Sequence, residues 1–401
     1  MTIISDFLTG LALLLLALWI IMFFAWGAFW QMWRYDADRA FIASPATWPS
    51  VVAIVPARNE AANIGRTISS LAQQDYLGEF RIILVDDDSD DGTAEAARQA
   101  ANAINRSDRL EVNSAPSLPV GWTGKIWAMD VGVRAASRYA PEWLWFVDAD
   151  VVAAPDALRK LVSRASRDHL SLASLMVLLQ ARSFPERLLI PPFLYFFLML
   201  YPPRWIAKQK SRTAGAAGGC LLLRRDALKG IGGFASIRDA VIDDCTLARA
   251  VKKSGGRIWM GLTRTSVSIR AYGTFSEIRD MVARTAFTQL HYSSVELLGA
   301  LAGLAFTYLL PVAMTFSRIP LVWPCALAAW FLMSVSFAPT LRFYRLSVLF
   351  APLLPIAALF YGYATGLSAV RFWFGRGATW KNRSQAPARR LLAKSHRRLT
   401  R

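Results

Sequence analysis

Between residues 51 and about 150, short apolar runs alternate with stretches whose apolar residues recur at helical spacing. "VVAIV" leads into a helical pattern over 60–73, "RIILV" into one over 93–105, "LEV" into one over 125–138, and "WLWFV" closes the series. Short β-rich apolar runs alternating with stretches of period near 3.6 predict strands and helices in turn. The fold expected is α/β, a mostly parallel Rossmann-like sheet with helices on both faces. In such sheets ligands bind beyond the carboxyl ends of the strands.

Outside that region the pattern becomes uniformly apolar. Residues 7–30 carry no charge, a run longer than the roughly 20 residues that cross a bilayer as a helix. A cleaved leader would have a shorter apolar core preceded by basic charge, and no basic residue precedes this run. Arg34 and Arg39 follow it, which by the positive-inside rule predicts an external N-terminus and a cytoplasmic catalytic domain at the cell membrane. Three further candidate spans lie at about 295–316, 320–339 and 346–370, separated by Arg318 and by Arg342 with Arg345. If all three cross, the basic C-terminus lies on the far side from the catalytic domain, which the same rule disfavours. One is therefore expected to be re-entrant or interfacial, and Pro352, Pro355, Gly362 and Gly366 point to the last. The stretch "LLIPPFLYFFLMLYPPRW" (188–205) reads either as a core helix or as an interfacial helix facing lipid. The organisation expected is an anchor and juxtamembrane segment over 1–48, a catalytic domain over 49–290, membrane or re-entrant segments over 291–370 and a basic cytoplasmic tail over 371–401.

Composition sharpens this picture. The 401 residues are 54% hydrophobic with a formal net charge of +18, and residues 371–401 hold ten Lys or Arg and no acid, leaving about +8 for the rest. No zinc spacing, helix-turn-helix signal or RNP-type stretch accompanies the charge, so anionic lipid headgroups, not nucleic acid, are the expected partner. Three scattered cysteines support neither a disulfide framework nor a metal cluster.

Acidic residues supply the candidate chemistry. In "FRIILVDDDSDDGT" five of the six residues 86–91 are aspartate, directly after an apolar strand. Ionised carboxylates do not follow a strand into the core without compensation, so Asp87 is assigned to a ligand-binding rim. Asp90, Asp91 and Thr93 read instead as turn and cap chemistry for the next helix. In "FVDADV", Asp148 and Asp150 stand two apart at another strand end, a spacing that suits a hard cation such as Mg²⁺ or Mn²⁺ sharing its oxygens with substrate phosphates. Asp243 and Asp244 precede a helical pattern marked by Leu247, Ala250 and Val251. Helix capping explains one acid; the pair suggests one oriented base and one supporting group.

Together with "VPARNE", "GGCLLLRRDALKGIGGF" and "IDDCTLARAVKKSG", these clusters resemble, over roughly residues 50–270, the family 2 inverting glycosyltransferases of the GT-A fold. With its N-terminal anchor, "PVGWTGKIWAMDVG" and the apolar region ending near "ATWKNR", the plan is most similar to hopanoid-associated glycosyltransferases and more distantly to ceramide glucosyltransferases. The resemblance implies a nucleotide-sugar donor, a lipid acceptor and a Mg²⁺ or Mn²⁺ cofactor. It also implies roles for residues: Pro56 and Glu60 lining the nucleotide pocket, Asp87 accepting from uracil N3–H, Asp150 binding the divalent ion, Asp148 contacting ribose or the ion's water shell, and Asp244 as general base with Asp243 beside it.

Lys125 could meet the diphosphate or be a solvated lysine at a helix start, and Gly218 with Gly219 could allow close backbone approach or form only a turn. The Q-x-x-R-W block of processive and ceramide-type relatives is missing; "RTAFTQLHYS" stands in that region, with Arg284 and Gln289 as substitutes and His291 an ordinary polar residue. Two other readings stay open: a polysaccharide synthase, weakened by that missing block, and an inactive nucleotide-sugar binder, for which degraded acidic groups would be expected. A transporter is poorer still, because the three C-terminal segments contain no acid beyond Glu296 at the very start of the first.

Overall fold

The computed structural model describes residues 2–39 and 45–375, with two short strands at 379–380 and 383–384. Most of the basic tail therefore lies outside the described residues. The chain divides into two compact units, one formed by 1–34, 181–204 and 272–376 and the other by 35–180, 205–271 and 377–401. The second unit holds the sheet. Segments 181–204 and 272–290, expected in the catalytic domain, belong to the first unit, because the apolar helix in 181–204 buries its side chains among other apolar helices.

The sheet has eight strands: β1 (Val51–Ala57), β2 (Phe80–Asp86), β3 (Leu110–Ser114), β4 (Trp143–Val147), β5 (Val151–Val152), β6 (Leu172–Leu178), β7 (Cys220–Arg224) and β8 (Ile258–Ser268), in the order β3-β2-β1-β4-β7-β6-β8-β5. β3, β2, β1 and β4 are mutually parallel, as the alternating pattern predicts. β7 runs antiparallel to both β4 and β6, so the whole sheet is mixed. Every residue of β1 and β4 is buried, which explains why both read as unbroken apolar runs. Pro56 is tolerated in this central strand because the β1–β4 ladder ends at Ile54↔Phe146, before the missing N–H would be needed.

With α1 assigned to Thr2–Phe24, the crossover helices are α2 (Ala61–Ala72), α3 (Thr93–Ala103), α4 (Gly124–Ala136) and α5 (Ala157–Arg167). α4 packs so closely on β1 that a Cβ at Gly132 would fall 2.5 Å from Ile54 Cγ2. This fixes α4, and with it Lys125 in its first turn, against the sheet. Beyond α6 (Phe184–Leu200), the short helices α7 (Pro203–Ala207) and α8 (Arg225–Gly230) precede α9 (Asp243–Lys253). The chain changes side between β2 and β4, both of which flank β1. That is the switch point at which open α/β sheets bind ligands.

The other unit is helical. α1 ends at Phe24, earlier than the apolar run predicts, because Gly27 and Ala28 adopt φ of 63° and 54° and turn the chain. α6 starts with a Ser183–Glu186 capping box and contains Pro191 and Pro192, which lie inside it rather than bracketing it. Leu189, Ile190, Leu194, Tyr195 and Leu198 of α6 are buried, so of its two readings the core helix is the one observed. Among the described residues four helices are long and apolar enough to cross a membrane: Ile3–Phe24, Ser294–Met314, Val322–Phe343 and Val348–Trp373. The last does not break where the sequence suggested. Pro352 lies inside a 3₁₀ turn over Val348–Leu353, and Pro355 stands in the first turn of the α-helix Leu354–Trp373, where a missing N–H leaves no helical bond unmade; Gly362 and Gly366 continue that helix. Arg284 and Gln289 also lie in this unit, where Gln289 Nε2 donates to the Tyr201 hydroxyl at 2.5 Å.

Candidate active site

The register Ala57↔Asp86 brings the ends of β1 and β2 level, and the loops beyond them are tied together. The Asp87 N–H donates to Ala57 O at 2.8 Å. Arg58 Nη1 donates to the carbonyls of Asp87 and Asp88. Asn59 and Asp88 are held in the left-handed region, φ 50° and 58°, a conformation Asn and Asp adopt more readily than most residues. Ser89 Oγ accepts from the Asn59 N–H, and Asn59 Oδ1 accepts from the Asp90 N–H. Asp91 closes the corner by accepting from the N–H groups of Ala61 (2.9 Å) and Thr93 (3.0 Å). Asp91 therefore serves the start of α2 as well as that of α3, whereas Thr93 is the first residue of α3 rather than its cap and its hydroxyl accepts from the Glu60 N–H.

Asp148 and Asp150 follow β4, and each faces a cation. Lys125 Nζ lies 2.8 Å from Asp148 Oδ1. Arg270, just past β8, donates through Nε to Asp150 Oδ2 at 2.9 Å and through Nη2 to Glu60 Oε1. Ser268 Oγ also donates to Asp150 Oδ2, at 3.2 Å. The Glu60 N–H in turn donates to Thr93 Oγ1, so the β1 loop, the β4 end and the β8 end share one polar network. The alternative of a solvated Lys125 is excluded, because its side chain is only 18% exposed and pairs with two acids.

The second of those acids is Asp243, whose Oδ2 lies 3.3 Å from Lys125 Nζ. Asp243 and Asp244 open α9, where the helix N-terminus favours negative charge. Asp244 takes no ion pair among the described residues; its Oδ2 accepts from the Gly218 N–H at 2.8 Å and its Oδ1 from the Cys245 N–H at 2.7 Å. A Cβ at Gly218 would sit 3.2 Å from Asp244 Oδ2, tighter than a side chain accommodates freely. The glycine pair thus permits close approach; Gly219 adds a carbonyl that accepts from the Asp148 N–H at 3.3 Å.

Charge and burial set the protonation of this cluster. Burial alone would depress the Lys125 ammonium, but the Asp148 and Asp243 carboxylates, with Asp244 behind them, outweigh it and hold the lysine protonated. Asp148 is shifted upward by burial, opposed by Lys125 and reinforced by Asp150 and Asp243. Asp244 is pushed up to about 6, chiefly by burial and then by the charge of Asp243, against the pull of Lys125 and its two backbone donors. A carboxylate with that pKa is ionised at neutral pH yet a far better proton acceptor than a solvated aspartate. Each oxygen keeps a further lone pair for an incoming hydroxyl.

The donor set suits a hard divalent cation: Asp148 and Asp150 supply oxygen ligands two residues apart, and Lys125 and Arg270 already bring positive charge to the same carboxylates. Among the described residues no group of three or more His, Cys, Asp or Glu side chains could hold a metal by itself. Two carboxylates plus substrate phosphates is the usual arrangement for Mg²⁺. The thiols offer no rival chemistry, since Cys220 and Cys245 are buried and burial pushes Cys220 up to about 12.

Pro56, Glu60, Asp87, Lys125, Asp148, Asp150, Asp243 and Asp244 all lie in the sheet unit, at the carboxyl ends of β1, β2 and β4 or on the α4 and α9 starts, whereas Arg284, Gln289 and His291 belong to the helical unit. Pro56 and Asp87 are both buried, so neither presents a surface to solvent. Arg58 and Arg270 were not foreseen. The signal for Arg270 was its place directly after a long apolar-polar alternation, "IWMGLTRTSVSIR", at a strand end on the same rim.

Residues 52–232 match the family model Glycosyl transferase family 2. An N-acetylglucosaminyltransferase of Rhizobium leguminosarum bv. phaseoli is 32% identical over 175 residues, 43% of this chain and 36% of the relative. A 4,4'-diaponeurosporenoate glycosyltransferase of Staphylococcus haemolyticus (strain JCSC1435) is 38% identical over 106 residues, 26% of this chain and 25% of the relative. The chain therefore spans about a third or less of the length of these curated relatives. Among solved structures, the mannosyltransferase PcManGT from Pyrobaculum calidifontis, in complex with GDP-Man and Mn2+, superposes with a TM-score of 0.55 at 19% identity, covering 90% of this chain and 99% of that one. This likeness bears on the fold, which is GT-A-like.

Proposed function

We propose that this chain, which carries a Glycosyl transferase family 2 domain, is a membrane-bound inverting glycosyltransferase that moves a sugar from a uridine diphosphate sugar to a lipid acceptor. The observation that carries the reading is the separation of roles among the acids. Asp148 and Asp243 are bound to Lys125, whereas Asp244 is oriented by backbone N–H groups and pushed up to about 6.

In this reading Asp244 accepts the proton of the acceptor hydroxyl as its oxygen attacks the anomeric carbon, on the face opposite the departing diphosphate. Asp243 and Asp148 hold Lys125 charged beside the diphosphate, where a point charge stabilises phosphate oxygens. Asp150, with Asp148 adjacent, would hold Mg²⁺ or Mn²⁺, which when bound supplies Lewis-acid stabilisation of the leaving group. Asp87 would accept from the nucleobase. Because it is buried, the tied loops after β1 and β2 must part to admit the base, with Glu60 and Pro56 becoming the wall behind it. A lipid acceptor is supported by the four apolar helices carried on the same chain, and a hopanoid-related lipid by the similarity of its overall plan. An N-acetylglucosamine donor is the first sugar to try, given the names of several relatives.

Mass spectrometry of total lipids from cells with and without the gene tests this proposal. One glycolipid class should disappear with the gene and return with the wild-type copy but not with an Asp244→Asn copy. Identical lipid profiles in all four strains would rule out a lipid acceptor.

A further inference from the structure

The carboxylate best placed to meet a divalent ion, Asp150, is already bound by a guanidinium. Arg270 spans Asp150 and Glu60 with two different nitrogens, and its side chain is 32% exposed while those of Asp150 and Glu60 are 14% and 8% exposed. The arginine thus reaches inward from the rim to two largely buried acids. A cation cannot take the Asp150 Oδ2 lone pairs while Nε and Ser268 Oγ both hold them. Lys125 stands in a similar relation to Asp148, but it has Asp243 as a second carboxylate that is not a metal candidate and can stay where it is. The second carboxylate of Arg270 is Glu60, on the same rim.

We propose that Arg270 is an exchangeable donor-binding residue: it neutralises Asp150 before donor binds, gives way to the divalent ion, and turns its freed Nε edge to the diphosphate that arrives with it. This rests on the nucleotide-sugar reading. Charge balance is the physical reason. Without donor, the ion and Arg270 compete for the same carboxylate, so Arg270 weakens binding of the ion alone. With donor, the diphosphate adds negative charge that both cations can share, and a planar guanidinium matches a pair of phosphate oxygens better than a lysine does. The arrangement makes ion and donor bind together rather than separately, the linkage expected when each ligand relieves a cost imposed on the other. Glu60 anchors the pivot. Its N–H is tied to Thr93 Oγ1 and its Oε2 accepts from Asn63 Nδ2, so Arg270 swings about a fixed acid.

The test measures binding, not turnover. Mn²⁺ affinity is read by electron paramagnetic resonance of the free ion in the absence of nucleotide, and UDP affinity by calorimetry at saturating Mn²⁺, for the full-length wild type and Arg270→Gln. If about nine-tenths of the empty sites carry the Arg270–Asp150 pair, removing it tightens Mn²⁺ binding about tenfold. UDP binding should weaken by about the same factor. Opposite shifts support the exchange. Tighter Mn²⁺ with unchanged UDP overturns it, as does unchanged or weaker Mn²⁺. Arg270→Lys gives the same reading if the glutamine variant does not fold: a lysine cannot span both acids, so Mn²⁺ should still bind at least threefold more tightly, and equality with the wild type overturns the inference. If the wild type binds neither Mn²⁺ nor UDP, the nucleotide-sugar reading falls together with this one; if it binds both and the variants match it, only the role of Arg270 falls.

Discussion

Lys125 Nζ stands 2.8 Å from Asp148 Oδ1 and 3.3 Å from Asp243 Oδ2, so one ammonium joins the end of β4 to the start of α9. The two acids are 95 residues apart in the chain, and the lysine that unites them comes from a third segment. Removing it leaves two carboxylates facing each other with no counter-charge. Lys125→Met is expected to cost about 2 kcal/mol, less than a fully buried pair because Asp148 is partly solvated. That corresponds to a fall of roughly 4–8 °C in the melting midpoint of the sheet unit. Mn²⁺ should restore more of this loss in the variant than it adds to the wild type, since an ion can take the place of the missing charge. Differential scanning fluorimetry with and without Mn²⁺ checks both parts.

Asp244→Asn removes the proposed proton acceptor and keeps the side chain's size. Turnover should fall by about 10² to 10⁴, the usual worth of a general base, with donor affinity within about twofold of the wild type. Steady-state rates and calorimetric UDP binding on the same preparation separate the two effects. Near-normal turnover would remove Asp244 from the mechanism.

The pH dependence carries its own sign. A base works deprotonated, and Asp244 is pushed up to about 6 in the ligand-free protein. The value of kcat/KM, which reports the free enzyme, should therefore be level above pH 7 and fall tenfold per unit below about 6. An unshifted aspartate would keep the plateau down to about 4. A plateau extending to pH 4.5 would show that a different group carries the proton.

Lys252 is buried at the far end of α9 and donates through Nζ to the carbonyls of Trp205 (3.2 Å), Ile206 (2.7 Å) and Thr213 (2.7 Å). It pins the segment that continues to Gly218, whose N–H orients Asp244. Lys252→Met leaves three carbonyls without that donor and is expected to cost about 2 kcal/mol. Hydrogen exchange over 205–219 should accelerate, and turnover should drop about tenfold with the pH profile unmoved, the mark of a positioning residue rather than a proton carrier.

These predictions use residues that were unequally legible in the sequence. Asp87, Asp148, Asp150, Asp243 and Asp244 could be found because ionised side chains directly after buried strands, or at a helix start, have few structural explanations. The parallel half of the sheet was legible because β1, β2 and β3 are short β-rich runs each followed by a helical pattern. The antiparallel insertion of β7 was not, because its pairing with β4 and β6 is a long-range choice that leaves no local mark on "CLLLR". Partners were equally hidden: nothing in "SIRAY" says that Arg270 reaches Asp150 and Glu60, residues 120 and 210 positions away. In the last apolar segment the two prolines differ in a way the sequence does not mark: Pro352 lies within a 3₁₀ turn, whereas Pro355 opens the α-helix Leu354–Trp373 and breaks nothing.

The account stands on acids from separate segments meeting around a sugar diphosphate, with Asp244 taking the proton. Release of UDP from a panel of UDP-sugars, measured with Mn²⁺ and a lipid extract for the full-length wild type and Asp244→Asn, tests this most directly. The account predicts release that requires both the ion and the lipid and that falls at least a hundredfold in the variant. Release at the same rate in wild type and variant, or none from any UDP-sugar by a wild type that is folded, would contradict it.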